Sequence, residues 1–213
     1  MELEFTSKSQ LQILILLLSI SFSCVSNKVT PTVGLKLHVP PGSSILFDNV
    51  QGLSNRDSEL FYKLFSEQLD DCYSSQYVSY LDFELRASGI DPTILRSDSS
   101  SLTIAGKVAQ ADFILFVSIL GSGTSPQFHG TNPLTGQSIM LPHKEGATYF
   151  EIVSLRNFNN RWAFSVETNI APFVYHGSAV LISTNLSNEN NAIRKSFSKG
   201  LRELESEVLK NCE

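Results

Sequence analysis

The sequence predicts an α+β (or α/β) fold in which two or three helices pack on a central mixed sheet. Up to about residue 120, apolar strand-like runs alternate with segments of helical periodicity. Phe113–Leu120 (FILFVSIL) is apolar almost throughout, which is typical of a strand covered on both faces. Near the C-terminus, apolar side chains recur every three or four residues, which predicts an amphipathic helix.

The individual elements follow from the same two periodicities. Because strand–helix–strand crossovers are right-handed, the first three predicted strands should be parallel or mixed. In order, the predicted elements are a strand at Ser44–Val50, a helix from an N-cap at Asn55 or Asp57 to about Cys72, a strand at Tyr77–Leu81, a short helix starting within Ser97–Ser101, a strand at Phe113–Leu120, strands at Ala147–Asn157 and Trp162–Ile170, a strand at Val174–Ser183, and a helix at Asn188–Asn211.

A long loop is predicted between the third strand and the hairpin. Residues 121–146 contain five glycines and three prolines, and loops of this length inside a domain are usually functional or disordered. His129, His143 and Glu145 share this segment and could meet a metal ion. They lack a compact ligand spacing, so no metal site is predicted and solvated loop residues are the preferred interpretation.

The N-terminal residues predict export. Leu11–Phe22 is an apolar run of twelve residues, shorter than the ~20 that a membrane-spanning helix needs but suited to the core of a signal peptide. Ser21-Phe22-Ser23-Cys24 resembles the lipobox of bacterial lipoproteins, in which the cysteine is acylated. The acidic residues Glu2 and Glu4 fit a signal peptide less well. Plain secretion and an uncleaved segment are the alternatives.

The expected organisation has three parts. Residues 1–23 form a signal peptide, residues 24–43 the lipidated Cys24 and a tether, and residues 44–213 a globular domain that contains the loop at 121–146. Val25 follows the cysteine where an aspartate would favour retention in the inner membrane. We therefore expect an outer-membrane lipoprotein that faces the periplasm.

Two cysteines remain if Cys24 is acylated. Cys72 and Cys212 are an even number in a compartment that permits disulfides, and each falls at the predicted end of a helix. The sequence allows a disulfide between them, and the alternative is two free thiols.

The segment Ile104–Leu115 (IAGKVAQADFIL) carries a resemblance to a group of envelope proteins. In that group a helix leads through Gly-Ala-Asp into a strand; here Ala111-Asp112 precedes the strand, Asn159-Asn160 stands at the hairpin turn, and a C-terminal helix follows. The group includes the curli secretion lipoprotein, the lipoprotein activators of penicillin-binding proteins, a flagellar outer-membrane lipoprotein and the N-terminal domain of the Tol-system propeller protein. The resemblance implies a protein-binding scaffold without a shared catalytic residue.

Composition and motifs limit the classes of function that the sequence supports. A net charge of −5 gives no electrostatic support for binding nucleic acid. No nucleophile-elbow or zinc-protease motif is present, and no cofactor is predicted. The sequence thus predicts a non-enzymatic, lipid-anchored module that binds an envelope protein, with homo-oligomerisation left open. The alternative is a secreted hydrolase, or a protein that binds a small ligand or a metal, using the loop at 121–146.

Overall fold

The computed structural model describes residues 25–33, 37–69, 71–131, 135–171, 173–176, 181–184 and 189–209. The strands are β1 Val25–Val33, β2 Ser44–Phe47, β3 Ser74–Tyr77, β4 Phe113–Thr131, β5 Ser138–Ser154, β6 Arg161–Ile170, β7 Phe173–His176 and β8 Leu181–Thr184. The α-helices are α1 Asn55–Gln68, α2 Asp82–Ala87, α3 Ser99–Ala109 and α4 Glu189–Glu207, and 3₁₀ helices lie at Val78–Leu81 and Pro92–Ser97.

Six strands form one mixed sheet in the order β1-β6-β5-β4-β2-β3, and β7 and β8 form a separate antiparallel pair. Strand β2 runs parallel to both β3 and β4, while β4, β5, β6 and β1 are successively antiparallel. The predicted α+β class with a central mixed sheet is confirmed, as is the parallel arrangement of the first strands that are linked by helices.

The sheet separates two apolar cores. Helices α1 and α4 cover one face, where the rings of Phe150, Phe164 and Phe197 lie with centroid separations of 5.0 and 5.6 Å. Helices α2 and α3 and the 3₁₀ segment at 92–97 cover the other face, but only over β2, the first half of β4 and the end of β5. The apolar stripe predicted for the C-terminal helix is confirmed, since its members Ile193, Phe197, Leu201 and Leu204 are all buried.

Helix starts are set by side-chain caps. The Ser54 hydroxyl accepts a hydrogen bond from the backbone N–H of Asp57, so α1 is capped one residue before the predicted Asn55. Asp98 accepts hydrogen bonds from the backbone N–H groups of Ser100 and Ser101 at the start of α3. Hydrogen bonds from Ser101 and Ser100 hold the pKa of the Asp98 carboxyl well below its usual value, because they favour the charged form.

Three local predictions were wrong. The segment predicted as a tether is folded from Val25 to Val33 as edge strand β1, which pairs with β6. Tyr77–Leu81 has high strand propensity, yet β3 ends at Tyr77 and the next four residues form a 3₁₀ helix. The single strand predicted at Val174–Ser183 is two paired strands, β7 and β8.

The loop predicted at 121–146 is also wrong, because these residues lengthen β4 and β5 into a paired hairpin. Pairing continues from Gly121–Ala147 to Thr131–Ser138. Pro126 and Pro142 stand opposite each other in a part of the hairpin where each strand has one edge without a described partner. Prolines are tolerated at such edges, since the missing N–H need not take part in a ladder.

We call the arm the two-stranded part of this hairpin that extends past the last β5–β6 pair, Lys144–Ile170. It comprises residues 125–131 and 138–143. Among the described helices, none is both long and apolar enough to cross a bilayer. The predicted signal peptide, Cys24 and Cys212 lie outside the described residues.

Candidate functional site

The face of the sheet opposite α1 and α4 is open toward β6 and β1. No described helix packs over this part, and a cleft of about 560 Å³ crosses strands β4, β5, β6 and β1 there. We call it the sheet cleft. It is lined by Ser26–Lys28, Leu120–Gly123, Glu145–Ala147 and Glu167–Asn169.

Small residues make the floor of the sheet cleft. Gly121 pairs with Ala147, and Gly123 pairs with Glu145 on the neighbouring strand. A shift of register between Ile119 and Gly121 marks a β-bulge, and Leu120 at this position is 59% exposed. The sheet cleft is thus a depression in the sheet with one exposed apolar side chain, that of Leu120, at its margin.

Charged and amide side chains make the walls. Lys28 on β1 stands directly opposite Glu167 on β6, and Asn169 stands opposite both Ser26 and Glu145. Opposite charges on paired positions are favourable neighbours in a sheet. The sheet cleft therefore offers both signs of charge, together with amide donors and acceptors.

A hydrogen-bond network holds the side chains at the arm end of the sheet cleft. The Ser125 hydroxyl donates to Glu145 Oε1, which the Asn169 amide also approaches at 3.5 Å. His143 Nδ1 lies 2.7 Å from Asn169 Oδ1. Because an amide oxygen can only accept, this contact assigns the proton to Nδ1 of His143.

Two of the three candidate metal ligands are neighbours. His143, 7% exposed, and Glu145 are two residues apart on β5, whereas the side chain of His129 lies outside the described residues. Within the described part of the chain, no three His, Cys, Asp or Glu side chains are grouped so that they could hold a metal ion. The network also joins Ser125 to a carboxylate and not to His143, so it lacks the serine–histidine contact that would activate a nucleophile.

A second polar group lies just past the carboxyl end of β2. Burial raises the pKa of Asp48 to about 6, although the nearby Arg96 and a backbone hydrogen bond act in the opposite direction. Its Oδ1 is shielded from solvent and has no hydrogen-bond partner among the described residues. Arg96 itself donates to Gln51 and Ser118 and lies 4.8 Å from the ring centre of Phe116.

The sequence did not single out most residues of the sheet cleft. Lys28, Glu167 and Asn169 belong to no motif and meet only through the pairing of strands distant in sequence. The glycines at 121 and 123 were the available signal, since glycine within a strand often marks a bulge or a close approach. That signal was hidden because the whole segment was assigned to a loop.

Comparisons with known proteins leave the family open. No protein-family model matches the sequence, and no curated protein matches it. Among solved structures, the chain is similar to the lipoprotein GNA1162 from Neisseria meningitidis, with 13% sequence identity and a TM-score of 0.46 over 77% of this chain and 99% of that one.

Two further structures show similarity of the same order. The C-terminal domain of LpoB from Salmonella enterica has 14% identity and a TM-score of 0.41 over 61% of this chain and 84% of that one. The PelC dodecamer from Paraburkholderia phytofirmans has 11% identity and a TM-score of 0.41 over 87% of this chain and all of that one. The similar structures thus include a lipoprotein. At these identities and TM-scores they establish neither the family nor the function of the chain.

Proposed function

We propose that the protein is a lipid-anchored module of the bacterial envelope that binds another protein through the sheet cleft and does not act as an enzyme. One observation carries the proposal: the sheet cleft is open, crosses four strands, and presents polar side chains whose positions are fixed by pairing or by hydrogen bonds.

The shape of the sheet cleft suits a polypeptide better than a small molecule. Four strands spaced about 4.8 Å apart give a surface on the order of 15 Å across. Small-molecule sites are mostly apolar and enclose their ligand, whereas this site is lined by Lys28, Glu145, Glu167 and Asn169. Leu120 adds one exposed apolar contact to this polar surface. Such a mixture is typical of the rim and core of a protein interface.

The cellular location of the protein is part of the proposal. The leader at 1–23 would direct export, an acyl chain on Cys24 would hold the protein in the outer membrane, and the domain would face the periplasm. The partner would then be an envelope protein, and a second copy of the chain is one such partner. The alternative of a secreted hydrolase has less support, because Ser125 is engaged by Glu145.

Site-specific photo-crosslinking tests the binding surface. A benzoyl-phenylalanine at Ala147, on the floor of the sheet cleft, should give a discrete adduct with one envelope protein in intact cells. The matched position is Arg202, which is exposed on α4 at the other face of the sheet, and it should give none. Glu167→Lys should reduce the Ala147 adduct severalfold, because it leaves Lys28 beside a second cation. Equal adducts at Ala147 and Arg202 would argue against the sheet cleft.

The anchor is tested separately. Wild-type protein should incorporate a radiolabelled fatty acid and sediment with membranes, and Cys24→Ala should do neither. An unlabelled wild-type protein would remove the lipid anchor from the proposal without affecting the crosslinking result.

A further inference from the structure

The position of the first described residue sets where an anchor on Cys24 would lie. Val25 opens β1 and pairs with Ile170, the last residue of β6, which in turn pairs with Lys144 at the base of the arm. Adjacent Cα atoms are about 3.8 Å apart, so an anchor on the preceding residue, Cys24, would join the described chain at this end of the sheet.

The arm starts at this level and continues away from the sheet. Its strand in β4 has seven residues, 125–131, which at about 3.3 Å per residue extend roughly 23 Å beyond the Lys144–Ile170 pair. A protein held by Cys24 would therefore carry the arm at the end of the domain nearest the membrane.

The composition of the arm differs from that of the rest of the chain. Residues 125–143 contain no Asp, Glu, Lys or Arg, although such residues make up 17% of the whole sequence. Met140 is 51% exposed on the arm, and Phe128 occupies the opposite register position. A hairpin without charged side chains suits a lipid interface, where charged side chains are costly.

Charged residues return at the base of the arm. The Lys144 ammonium donates to the Thr124 hydroxyl, which donates to Glu189 at the start of α4 at 3.2 Å, and Glu145 follows on β5. The change from charged base to uncharged arm thus falls at the level of Val25. This is the distribution expected where a protein passes from water into the headgroup region.

We propose that the arm lies against the phospholipid surface that carries the lipid anchor, with Met140 in contact with the interface. The inference rests on the proposed acylation of Cys24, since the acyl chain is what would place this end of the sheet at the membrane. The arm would then act as a second attachment beside the lipid and would fix the orientation of the domain.

Tryptophan fluorescence in vesicles tests this contact. The lipidated protein is reconstituted into vesicles of phosphatidylethanolamine and phosphatidylglycerol, with and without brominated acyl chains as quenchers. Wild type supplies the baseline, because its single tryptophan, Trp162, is 8% exposed in the core. Met140→Trp places a reporter on the arm. Asn159→Trp is the matched control, since it is exposed in the turn between β5 and β6 at the opposite end of the sheet.

The brominated lipid should quench the Met140→Trp reporter by about twofold or more, because interfacial side chains lie about 5–10 Å into the headgroup and acyl boundary. The Asn159→Trp protein and wild type should change little. Quenching no greater than that of wild type, in protein that remains vesicle-bound through its acyl chain, would overturn the arm contact and leave the anchor standing. Protein that carries no acyl chain by mass spectrometry and is not retained by the vesicles would overturn both.

Discussion

Asp48 is a carboxylic acid placed where its charge is poorly compensated. Its Oδ1 is shielded from water without a hydrogen-bond partner among the described residues, and burial raises its pKa to about 6. The positive charge of Arg96 lowers the pKa of Asp48, but the Arg96 guanidinium donates its hydrogen bonds to Gln51 and Ser118. The folded protein therefore keeps the Asp48 proton up to about pH 6, whereas the unfolded chain releases it near pH 4.

The free energy of unfolding should consequently fall as the pH rises toward the pKa of Asp48 in the folded protein. Between about pH 4 and pH 6 the native state binds more protons than the unfolded state, so the free energy of unfolding decreases over this window and then levels off. Asp48→Asn removes the charge and should stabilise the protein at pH 8 by about 3 kcal/mol. At pH 4 it should have little effect. Urea unfolding at both pH values measures the difference.

The control for this prediction is Glu84→Gln. Glu84 is an exposed carboxylate on α2, so this substitution should change the unfolding free energy only slightly. An equal effect of Asp48→Asn at the two pH values would show that Asp48 does not titrate in this window.

At the scale of elements, the contact between α4 and the sheet depends on two missing side chains. A Cβ on Gly146 would lie 2.6 Å from the backbone of Ala192 and Ile193, and one on Gly200 would overlap the ring of Phe150. Both clashes involve groups that cannot move aside, namely helix backbone and a buried ring. The helix can approach β5 this closely only because both positions are glycine.

Gly146→Ala should therefore destabilise the fold by about 1–3 kcal/mol, the usual cost of overpacking. Gly121→Ala is the matched control, because Gly121 lies on the neighbouring strand β4 and its added Cβ would meet no atom within 4 Å. That change should be within about 0.5 kcal/mol of wild type. Urea midpoints of the two variants give the comparison, and similar midpoints would mean that α4 can retreat from the sheet at little cost.

Elements with a clear apolar period were predictable from the sequence, and elements defined by pairing were not. The buried half of β4 and the stripe of α4 carry their own signal. Strand β1 (VSNKVTPTV) is an exposed edge strand with a proline and a lysine, devices that protect edges and also weaken the pattern. The arm contains glycines and prolines that favour turns locally, yet register with the facing strand determines its structure. The sheet cleft was not predicted either, because its residues meet only through the pairing of strands that are distant in sequence.

At the scale of the whole molecule, the segment between β1 and β2 meets the residues that follow α4, close to Cys72. The backbone N–H of Val39 donates to Val208 and that of Gly42 donates to the Cys72 carbonyl, at 3.1 and 2.8 Å. Cys72 is disulfide-bonded, and its partner lies outside the described residues. Val25, the residue after Cys24 in the sequence, begins the opposite edge strand of the sheet, whereas a disulfide needs Cα atoms within about 7 Å.

We propose that the partner is Cys212, three residues after Leu209, whose backbone bridges to Val39. The bond would close a loop of 140 residues between positions 72 and 212, for which the chain-entropy model gives about 4–5 kcal/mol. The acylated protein, unfolded without reductant, should show no free thiol. Cys212→Ser should lower the free energy of unfolding by a comparable amount, while an unreduced thiol count of two would exclude the pair.

Strand β1 has one further consequence, for the order in which the chain can fold. Its partners on β6 lie far along the sequence, with Val25 opposite Ile170. A chain synthesised from its N-terminus therefore carries an edge strand with unpaired backbone groups until nearly all of the other sheet residues have been made. Such a strand can pair with a wrong neighbour before β6 is available. The edge that completes the sheet last is thus the segment for which a chaperone would matter most.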